Sequence, residues 1–297
     1  MNVKAAEKSV AFSVFAYTVV TLAALVCLFP FLLILSGSLT LNESIVRDGY
    51  RLIPTQFSLA GYKTIFASSE PILKAYGVTT FVTAVGTSIG LFMTTMAGYV
   101  LQRRDFKYRN KFMFYIYFTT LFSGGLVPWY ILMTSYLKLT DTYAALILPG
   151  LASPFLIILM RSFIKATIPD EVIESAKIDG ANDFKIYYRI VLPLATSGLA
   201  TVGLFMALGY WNGWFLSSLF INDPDKYELQ FYLYNIINTM SFLADLGVSS
   251  GVTLSGDIPM ESTKLSMSLI VTGPILFLYP FVQRYFVKGL TIGAVKG

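Results

Sequence analysis

Long stretches without a charged residue constrain this chain more than any other feature of its sequence. A helix needs about 20 apolar residues to cross the roughly 30 Å hydrocarbon core of a bilayer, where charge is costly. Only 13% of the 297 residues are charged, against about 25% in soluble domains. Six intervals are long enough to span a membrane without carrying a charge: 9–42, 75–102, 112–137, 142–160, 190–222 and 265–283.

From these intervals we predict an all-α, polytopic membrane protein that forms one domain over residues 1–297. A seventh uncharged interval, 229–244, contains three amides and is predicted to be an amphipathic helix at a membrane surface. The six predicted transmembrane helices cover about 9–36, 75–102, 112–137, 142–161, 193–221 and 265–285.

The distribution of basic residues predicts the orientation. With the N-terminus inside, the inner segments hold 15 of the 22 Lys and Arg residues, so the inner face carries +8 and the outer face −3. Positive loops favour the cytoplasmic side, and we therefore place both termini in the cytoplasm. Because the positive charge is spread over membrane-flanking loops, it indicates anionic membrane lipid rather than nucleic acid as its partner.

Missing residue types exclude most enzymes. The chain has no histidine, which removes Ser-His-Asp triads, histidine-ligated zinc and histidine bases. Its one cysteine, Cys27, cannot close an intrachain disulfide or form a thiolate cluster. The sequence also lacks a phosphate-binding P-loop. We predict no catalytic residue, no metal site and no cofactor.

One predicted cytoplasmic loop, 167–193, has the pattern of two short helices joined by a turn. Thr167 is expected to cap the first helix, and Gly180 permits the left-handed residue that ends it. Asn182 is expected to cap the second helix, which Pro193 ends. The apolar faces of the two helices are predicted to comprise Val172, Ile173, Ala176 and Ile178, then Phe184, Ile186, Tyr187, Ile190 and Val191.

This loop carries a long gapped motif. Glu174-Ser-Ala-Lys-Ile-Asp-Gly180, nine further residues and Ile190-Val-Leu-Pro193 resemble the EAA motif of ABC-type importer permeases. That motif reads Glu-Ala-Ala, three residues, Gly, nine residues and Ile-x-Leu-Pro, so the one departure here is Ser175. Other phrases extend the resemblance to the smaller permease of maltose-type carbohydrate importers: Ala97-Gly-Tyr99, Trp211-Asn212 and residues 283–297.

The resemblance implies a single permease domain with the type I ABC importer fold, in a bacterial inner membrane. It also implies that the 167–193 loop contains a coupling helix that docks on a separate ATPase. The implied partners are a second permease, two ATPase subunits, an extracytoplasmic binding protein and an oligosaccharide. The residues it assigns to ATPase coupling are Glu171, Glu174, Ser175, Ala176, Asp179, Gly180 and Ala181.

Two further sets of residues are candidate contacts. Tyr210, Trp211 and Asn212 are candidates for the translocation pathway, although an Asn within a span equally suits helix–helix hydrogen bonding. The outer loop 223–264 is predicted to contact the binding protein, with a solvated connector as the alternative. Its Gly- and Ser-rich tip, 246–256, supplies the candidate contacts Ser249, Ser250 and Gly251.

Two other functions compete with the importer permease. An ion-coupled secondary transporter of small solutes is expected to carry a buried ionisable residue, which the six uncharged intervals lack. A membrane enzyme is disfavoured by the missing histidine. For the permease, residues 231–238 resemble the branch that imports alginate- or pectin-type oligosaccharides more than maltose importers.

Overall fold

The structure is a computed structural model. It describes residues 10–67, 69–250 and 259–274, and the side chains of all of these except 10, 11 and 243–250. Every regular element in this part of the chain is a helix, apart from one isolated β-bridge between Thr40 and Phe57. The prediction of an all-α chain is therefore confirmed for the described residues.

The α-helices follow one another with short connections. In chain order they are α1 Val10–Ser38, α2 Asn42–Asp48, α3 Ala60–Ala67, α4 Ser69–Gln102, α5 Arg109–Phe118, α6 Leu126–Ile131, α7 Tyr143–Ile147, α8 Pro154–Thr167, α9 Asp170–Ile178, α10 Asp183–Ile186, α11 Leu192–Leu194, α12 Thr196–Trp211, α13 Phe215–Phe220, α14 Leu229–Ser250 and α15 260–274. Short segments of other helix types occur between them. Leu132–Tyr136 and Tyr187–Val191 are π-helical, and Leu148–Gly150 and Pro224–Lys226 are 3-10 helical.

Two helices are long and apolar enough to cross a membrane unaided, at Phe12–Ser38 and Ser69–Gln102. The first is exposed along its most apolar window, as expected of a helix that faces lipid or another chain. Two bent pairs raise the number of membrane-crossing segments in the described residues to as many as four: Tyr143–Gly150 with Pro154–Thr167, bent by 49°, and Asp183–Leu194 with Thr196–Trp211, bent by 83°. The full set of six spans remains a prediction.

Three of the predicted spans are interrupted. The interval 112–137 divides into α5 and α6, with Gly125 at a φ of +88° just before α6. In 142–161, Pro154 starts α8 after an extended Ser153, because proline disfavours the helical conformation in the residue before it. The fifth span breaks between α12 and α13. An uncharged interval indicates solubility in lipid, whereas helix continuity depends on local backbone preferences.

The described residues form two compact units. One contains the described residues up to Ser69 and those from Ile236 to Gly273, and the other contains Glu70 to Asn235 together with Pro274. In the second unit, α4, α8, α9, α10 and α12 share one buried apolar cluster, which holds the 167–193 loop against the helices around it. The cluster includes Tyr99, Leu156, Met160, Ile164, Ile173, Ile186, Val202 and Met206.

In the first unit, α15 packs against the segment that follows α1. The main-chain N–H of Glu261 donates to Asn42 Oδ1 at 2.8 Å, and the Tyr50 hydroxyl donates to a Glu261 carboxylate oxygen at 2.7 Å. Gly61 lies so close to Ser262 that an added Cβ would be 2.7 Å from the Ser262 carbonyl oxygen. The close approach of α3 to α15 therefore requires glycine at this position.

Candidate functional site

The loop 167–193 folds into an elbow of two short helices, α9 and α10, which we call the elbow. Thr167 ends α8 instead of capping α9, so the N-cap prediction for Thr167 is wrong; Pro169 occupies the cap position. Asn182 caps α10 as predicted, and its Oδ1 accepts the main-chain N–H of Lys185 at 2.9 Å.

The turn between the two helices of the elbow depends on Gly180. This residue has a φ of +79°, which confirms the predicted left-handed cap. The N–H of Gly180 donates to the carbonyl of Lys177 at 3.0 Å, and the N–H of Ala181 donates to the carbonyl of Ala176 at 2.9 Å. This pair of bonds is the Schellman motif, in which glycine avoids the steric strain of a Cβ.

Most residues predicted to couple to an ATPase lie on the exposed face of the elbow. Ala176 and Ala181 are half-buried against the apolar cluster, so they shape the inner side of the elbow. The exposed members of the set are Glu171, Glu174, Ser175, Asp179 and Gly180. The exposed face therefore combines three carboxylates with a tight turn.

Two apolar side chains of the elbow are far more exposed than their sequence pattern suggests. Ile178 is 87% exposed and Phe184 63% exposed, although both were predicted on inward apolar faces, and Val172 is also exposed. Only Ile173 and Ile186 insert fully into the cluster from α9 and α10, because helices of nine and four residues turn few positions inward. Exposed apolar side chains beside exposed carboxylates are typical of a surface that another protein covers.

The segment 103–105, directly after α4, holds both helices of the elbow through ion pairs. The Arg103 guanidinium contacts Asp105 and Asp183 at 2.5 Å each, and the Lys177 ammonium contacts Asp105 at 2.5 Å. The Arg103 side chain is 15% exposed and lies over the Tyr99 ring at 5.8 Å. We call Arg103, Asp105, Lys177 and Asp183 the clamp. In the sequence, Arg103 contributed only to the predicted orientation.

A neighbouring pair of contacts fixes the start of α9. Asp170 accepts a hydrogen bond from Gln102 Nε2 at 3.0 Å and pairs with the Arg104 guanidinium at 2.6 Å. Asp170 and Glu171 also place negative charge in the first turn of α9, where the helix dipole favours it. The end of α4 therefore contacts α9 at both of its ends and α10 at its start.

The clamp keeps its carboxylate ionised. Hydrogen bonds from Arg103, and then from Lys177, lower the pKa of Asp105 well below its usual range, against the opposing effect of burial. The same hydrogen bond to Asp105 raises the pKa of Arg103. The ion pair between Arg103 and Asp105 is consequently intact throughout the neutral pH range.

The three pathway candidates differ in their surroundings. Tyr210 is buried, and its hydroxyl donates to the carbonyl of Ile147 at 2.8 Å, which joins α12 to α7. Trp211 is buried, and its Nε1 has no hydrogen-bond partner among the described residues. Asn212 is exposed; its Nδ2 donates to the carbonyl four residues earlier, and its Oδ1 accepts from Gln230 at 3.4 Å. Their role in a pathway stays a prediction.

A buried carboxyl that the sequence analysis missed lies close to these residues. Glu228 is 2% exposed, and Ser217, which is fully buried, donates to its Oε2 at 2.7 Å. The adjacent N–H of Leu229 donates to Thr79 Oγ1 at 2.8 Å, so this cluster joins α4, α13 and α14. Burial raises the pKa of Glu228 to about 7. Glu228 lies outside the six uncharged intervals, which is why a search of those intervals did not find it.

The raised pKa of Glu228 predicts a pH-dependent stability. The carboxyl binds its proton more tightly when folded, so its stabilising effect is complete below about pH 4.5 and is lost as pH rises through 7. A shift from 4.5 to about 7 corresponds to roughly 3 kcal/mol. We expect Glu228→Gln to remove this dependence and to raise the thermal unfolding temperature in detergent at pH 8 but not at pH 5. Glu43→Gln, at an exposed position, is the matched control. If the unfolding temperatures of wild type and Glu228→Gln changed with pH in parallel, Glu228 would not be the group that causes the pH dependence.

The predicted tip of the outer loop is partly helical. Ser249 and Ser250 are the last two residues of α14, so the first five residues of the Gly- and Ser-rich tip, 246–250, are helical. Gly251 lies outside the described residues. α14 extends six residues beyond the predicted interval 229–244, to Ser250. No group of three His, Cys, Asp or Glu side chains in the described ranges is placed to hold a metal ion.

Comparison with known proteins adds independent findings. Residues 86–292 match the family described as binding-protein-dependent transport system inner membrane component. The chain is 39% identical over 287 residues to the polygalacturonan/rhamnogalacturonan transport system permease protein YtcP of Bacillus subtilis (strain 168), covering 96% of this chain and 98% of that protein. It is 40% identical over 273 residues to protein LplC of the same organism, covering 92% and 90% respectively.

A solved structure has the same fold. It is the crystal structure of a bacterial ABC transporter involved in the import of the acidic polysaccharide alginate, and one of its chains superposes with a TM-score of 0.81. The aligned region is 27% identical and covers 95% of this chain and 99% of that one.

Proposed function

This chain belongs to the family of binding-protein-dependent transport system inner membrane components, and we propose that it forms half of a translocation pathway for an oligosaccharide. It is a multi-pass, non-catalytic permease subunit of an ATP-binding-cassette importer. A second permease subunit completes the pathway, two ATPase subunits drive it, and an extracytoplasmic binding protein delivers the sugar.

The elbow is the observation that carries this proposal. It exposes carboxylates and two apolar side chains on one short segment, while Ile173 and Ile186 anchor it in the core and the clamp attaches it to α4. We expect such a segment to move as one body with the helices around it. The elbow is therefore suited to dock on an ATPase and to transmit its movement to the pathway.

The relatives support an acidic oligosaccharide as substrate. The name of one relative specifies polygalacturonan and rhamnogalacturonan, and the related structure belongs to an importer of alginate. All three polymers contain uronic acid units. We therefore propose that this importer carries short uronate-containing oligosaccharides.

Uptake into proteoliposomes tests the function. The chain, its partner permease and both ATPases are reconstituted with the binding protein, and labelled oligogalacturonate or maltose is added with ATP. We expect ATP-dependent uptake of oligogalacturonate and at least tenfold less of maltose. Uptake by this chain alone, driven by an ion gradient without ATP, would instead support the secondary transporter.

Cysteine labelling tests the proposed topology. On a Cys27→Ala background, Ser162→Cys and Ser249→Cys place single thiols in α8 and α14, in segments that we assign to opposite faces. We expect a membrane-impermeant maleimide to label the Ser249 position in intact spheroplasts and the Ser162 position only after permeabilisation. Labelling of both positions from outside would refute six spans with cytoplasmic termini.

The outer loop 223–264 is proposed to contact the binding protein. The net charge of this loop is negative, with six Asp and Glu residues against two Lys residues. Ser249 and Ser250 lie at the end of the long helix α14. The contacts proposed from the sequence, Ser249, Ser250 and Gly251, are retained in this role.

A further inference from the structure

A cavity of about 350 Å³ lies where the C-terminal end of α4 meets the first turn of α5 and the second half of α8. We propose that this basic cavity binds the phosphate group of an anionic membrane lipid. The proposal rests on the proposed orientation, which places this end of α4 at the cytoplasmic membrane surface. The charged residues that line the cavity are Arg104, Arg109, Arg161, Lys165, Asp170 and Glu171.

The charges in the basic cavity are not balanced. Arg104 pairs with Asp170, whereas Arg109, Arg161 and Lys165 have no carboxylate within 4.0 Å among the described residues. Hydrogen bonds to main-chain carbonyls at or just after the end of α4 orient the two guanidinium groups, at 3.1 Å for Arg161 and 3.4 Å for Arg109. Three neighbouring cations repel one another, and an anion with several oxygens would stabilise all three.

The surface next to the cavity suits the rest of a lipid molecule. α5 starts at Arg109, and none of its ten residues is buried. Its exposed side chains include Phe112, Phe114 and Tyr115, so an apolar strip begins at the cavity. The first turn of α5 has no side-chain cap, which leaves the positive end of its dipole at the cavity.

A lipid explains both features together. Basic cavities between membrane helices on the cytoplasmic side bind phosphate headgroups, and acyl chains would cover the exposed face of α5. Because α5 leads into a predicted span, a lipid whose phosphate lies in the cavity would have its acyl chains beside α5. A free phosphate ion or a carboxylate of an ATPase accounts for the cations alone, and we therefore commit to the lipid.

Native mass spectrometry of the assembled importer tests the proposal. The complex is reconstituted in nanodiscs of phosphatidylglycerol and phosphatidylcholine, released into detergent, and scored for retained phosphatidylglycerol. The test variant is Arg109→Gln with Lys165→Gln. The control is Lys107→Gln with Lys111→Gln, which removes the same charge from the same face without altering the lining of the cavity. Diffuse attraction to the membrane surface is reduced equally in both variants, whereas only the test variant loses two charged donors that line the cavity, so we expect at least about tenfold lower retention in the test variant alone.

The outcomes separate the possible ligands. Equal retention in the test and control variants would overturn the proposal in favour of diffuse attraction to the basic face. Displacement of the lipid by millimolar inorganic phosphate would identify a free anion, and loss of retention on adding ATPases to the permease pair would identify a protein contact; both overturn it. Because lipid retention is measured rather than sugar uptake, a negative result for lipid binding would not contradict the proposed importer function.

Discussion

Replacing Gly180 with valine is expected to reduce ATP-coupled uptake at least tenfold while the protein still inserts in the membrane. An added Cβ meets no atom within 4 Å, so the cause is conformational and not a collision. A β-branched residue at a φ of +79° is strained by at least about 1–2 kcal/mol, and relaxation of that strain would open the Schellman turn. The exposed face of the elbow would then lose its shape, although Ile173 and Ile186 still hold its two helices in the core.

Gly180→Asn is the matched variant, because asparagine tolerates the left-handed conformation better than any branched residue. We expect it to retain most of the uptake. Uptake, capture of the ATPase from detergent extracts and ATP hydrolysis stimulated by the binding protein are measured for both variants. Equal loss of uptake in the valine and asparagine variants would show that side-chain size at this position matters, rather than backbone conformation. Unchanged capture of the ATPase by both variants would show that the elbow is not part of the docking surface.

Glu174→Ala tests the same surface without altering the backbone. A hydrogen bond from a charged partner contributes about 1.5–3 kcal/mol, so ATPase binding should weaken by roughly 10- to 100-fold. The side chain is exposed in this chain, so membrane levels should not change. Glu43→Ala, an exposed substitution in α2 on the predicted outer face, should leave binding intact.

Replacing Arg103 with methionine is expected to uncouple ATP hydrolysis from transport. Among the described residues, only Arg103 joins the end of α4 to both the turn at Asp105 and the start of α10 at Asp183. Both carboxylates are about half exposed, so screening limits the loss of stability to on the order of 2 kcal/mol. Without this link the elbow would still bind an ATPase but would move less faithfully with α4.

The measurement is the number of ATP molecules hydrolysed per sugar imported. Arg104→Met is the matched control, because the Arg104 side chain is 78% exposed and makes one ion pair. Arg103→Lys should restore part of the coupling, since lysine keeps the charge but cannot bridge two carboxylates with a planar group.

Because the pKa of Asp105 is lowered, the contribution of the clamp should be constant above about pH 5 and be lost only in strong acid. If Arg104→Met uncoupled transport as strongly as Arg103→Met, the clamp would have no special role.

The turn of the elbow was predictable because its determinants are local. The left-handed Gly180 and the capping Asn182 follow from backbone preferences of single residues, and the structure has both where the sequence predicted them. The exposure of Ile178 was not predictable in this way. A helix of nine residues presents few positions to the core, and which of them faces inward depends on how α8 and α12 place the elbow.

The clamp and the buried Glu228 depend on residues that are distant in the sequence. Arg103 meets Asp183, which lies 80 positions further along the chain, and neither the charge count nor the motif links the two. Glu228 follows a short 3-10 turn in a loop whose polar sequence predicts an exposed position. In the structure, however, α4 and α13 enclose it. Its burial is the sum of contacts from other helices, which no local pattern contains.

The sequence by itself determined that this chain belongs in a membrane, that it is helical, and where the motif of an importer permease lies. Those properties follow from the absence of charge over long intervals, from the cost of unpaired backbone groups in lipid and from residue spacing. Only the tertiary structure decided where the apolar intervals break, which elbow residues face outward, and how the end of α4 holds the elbow. These features depend on which distant side chains meet, because packing and ion pairing are properties of the folded arrangement and not of any one segment.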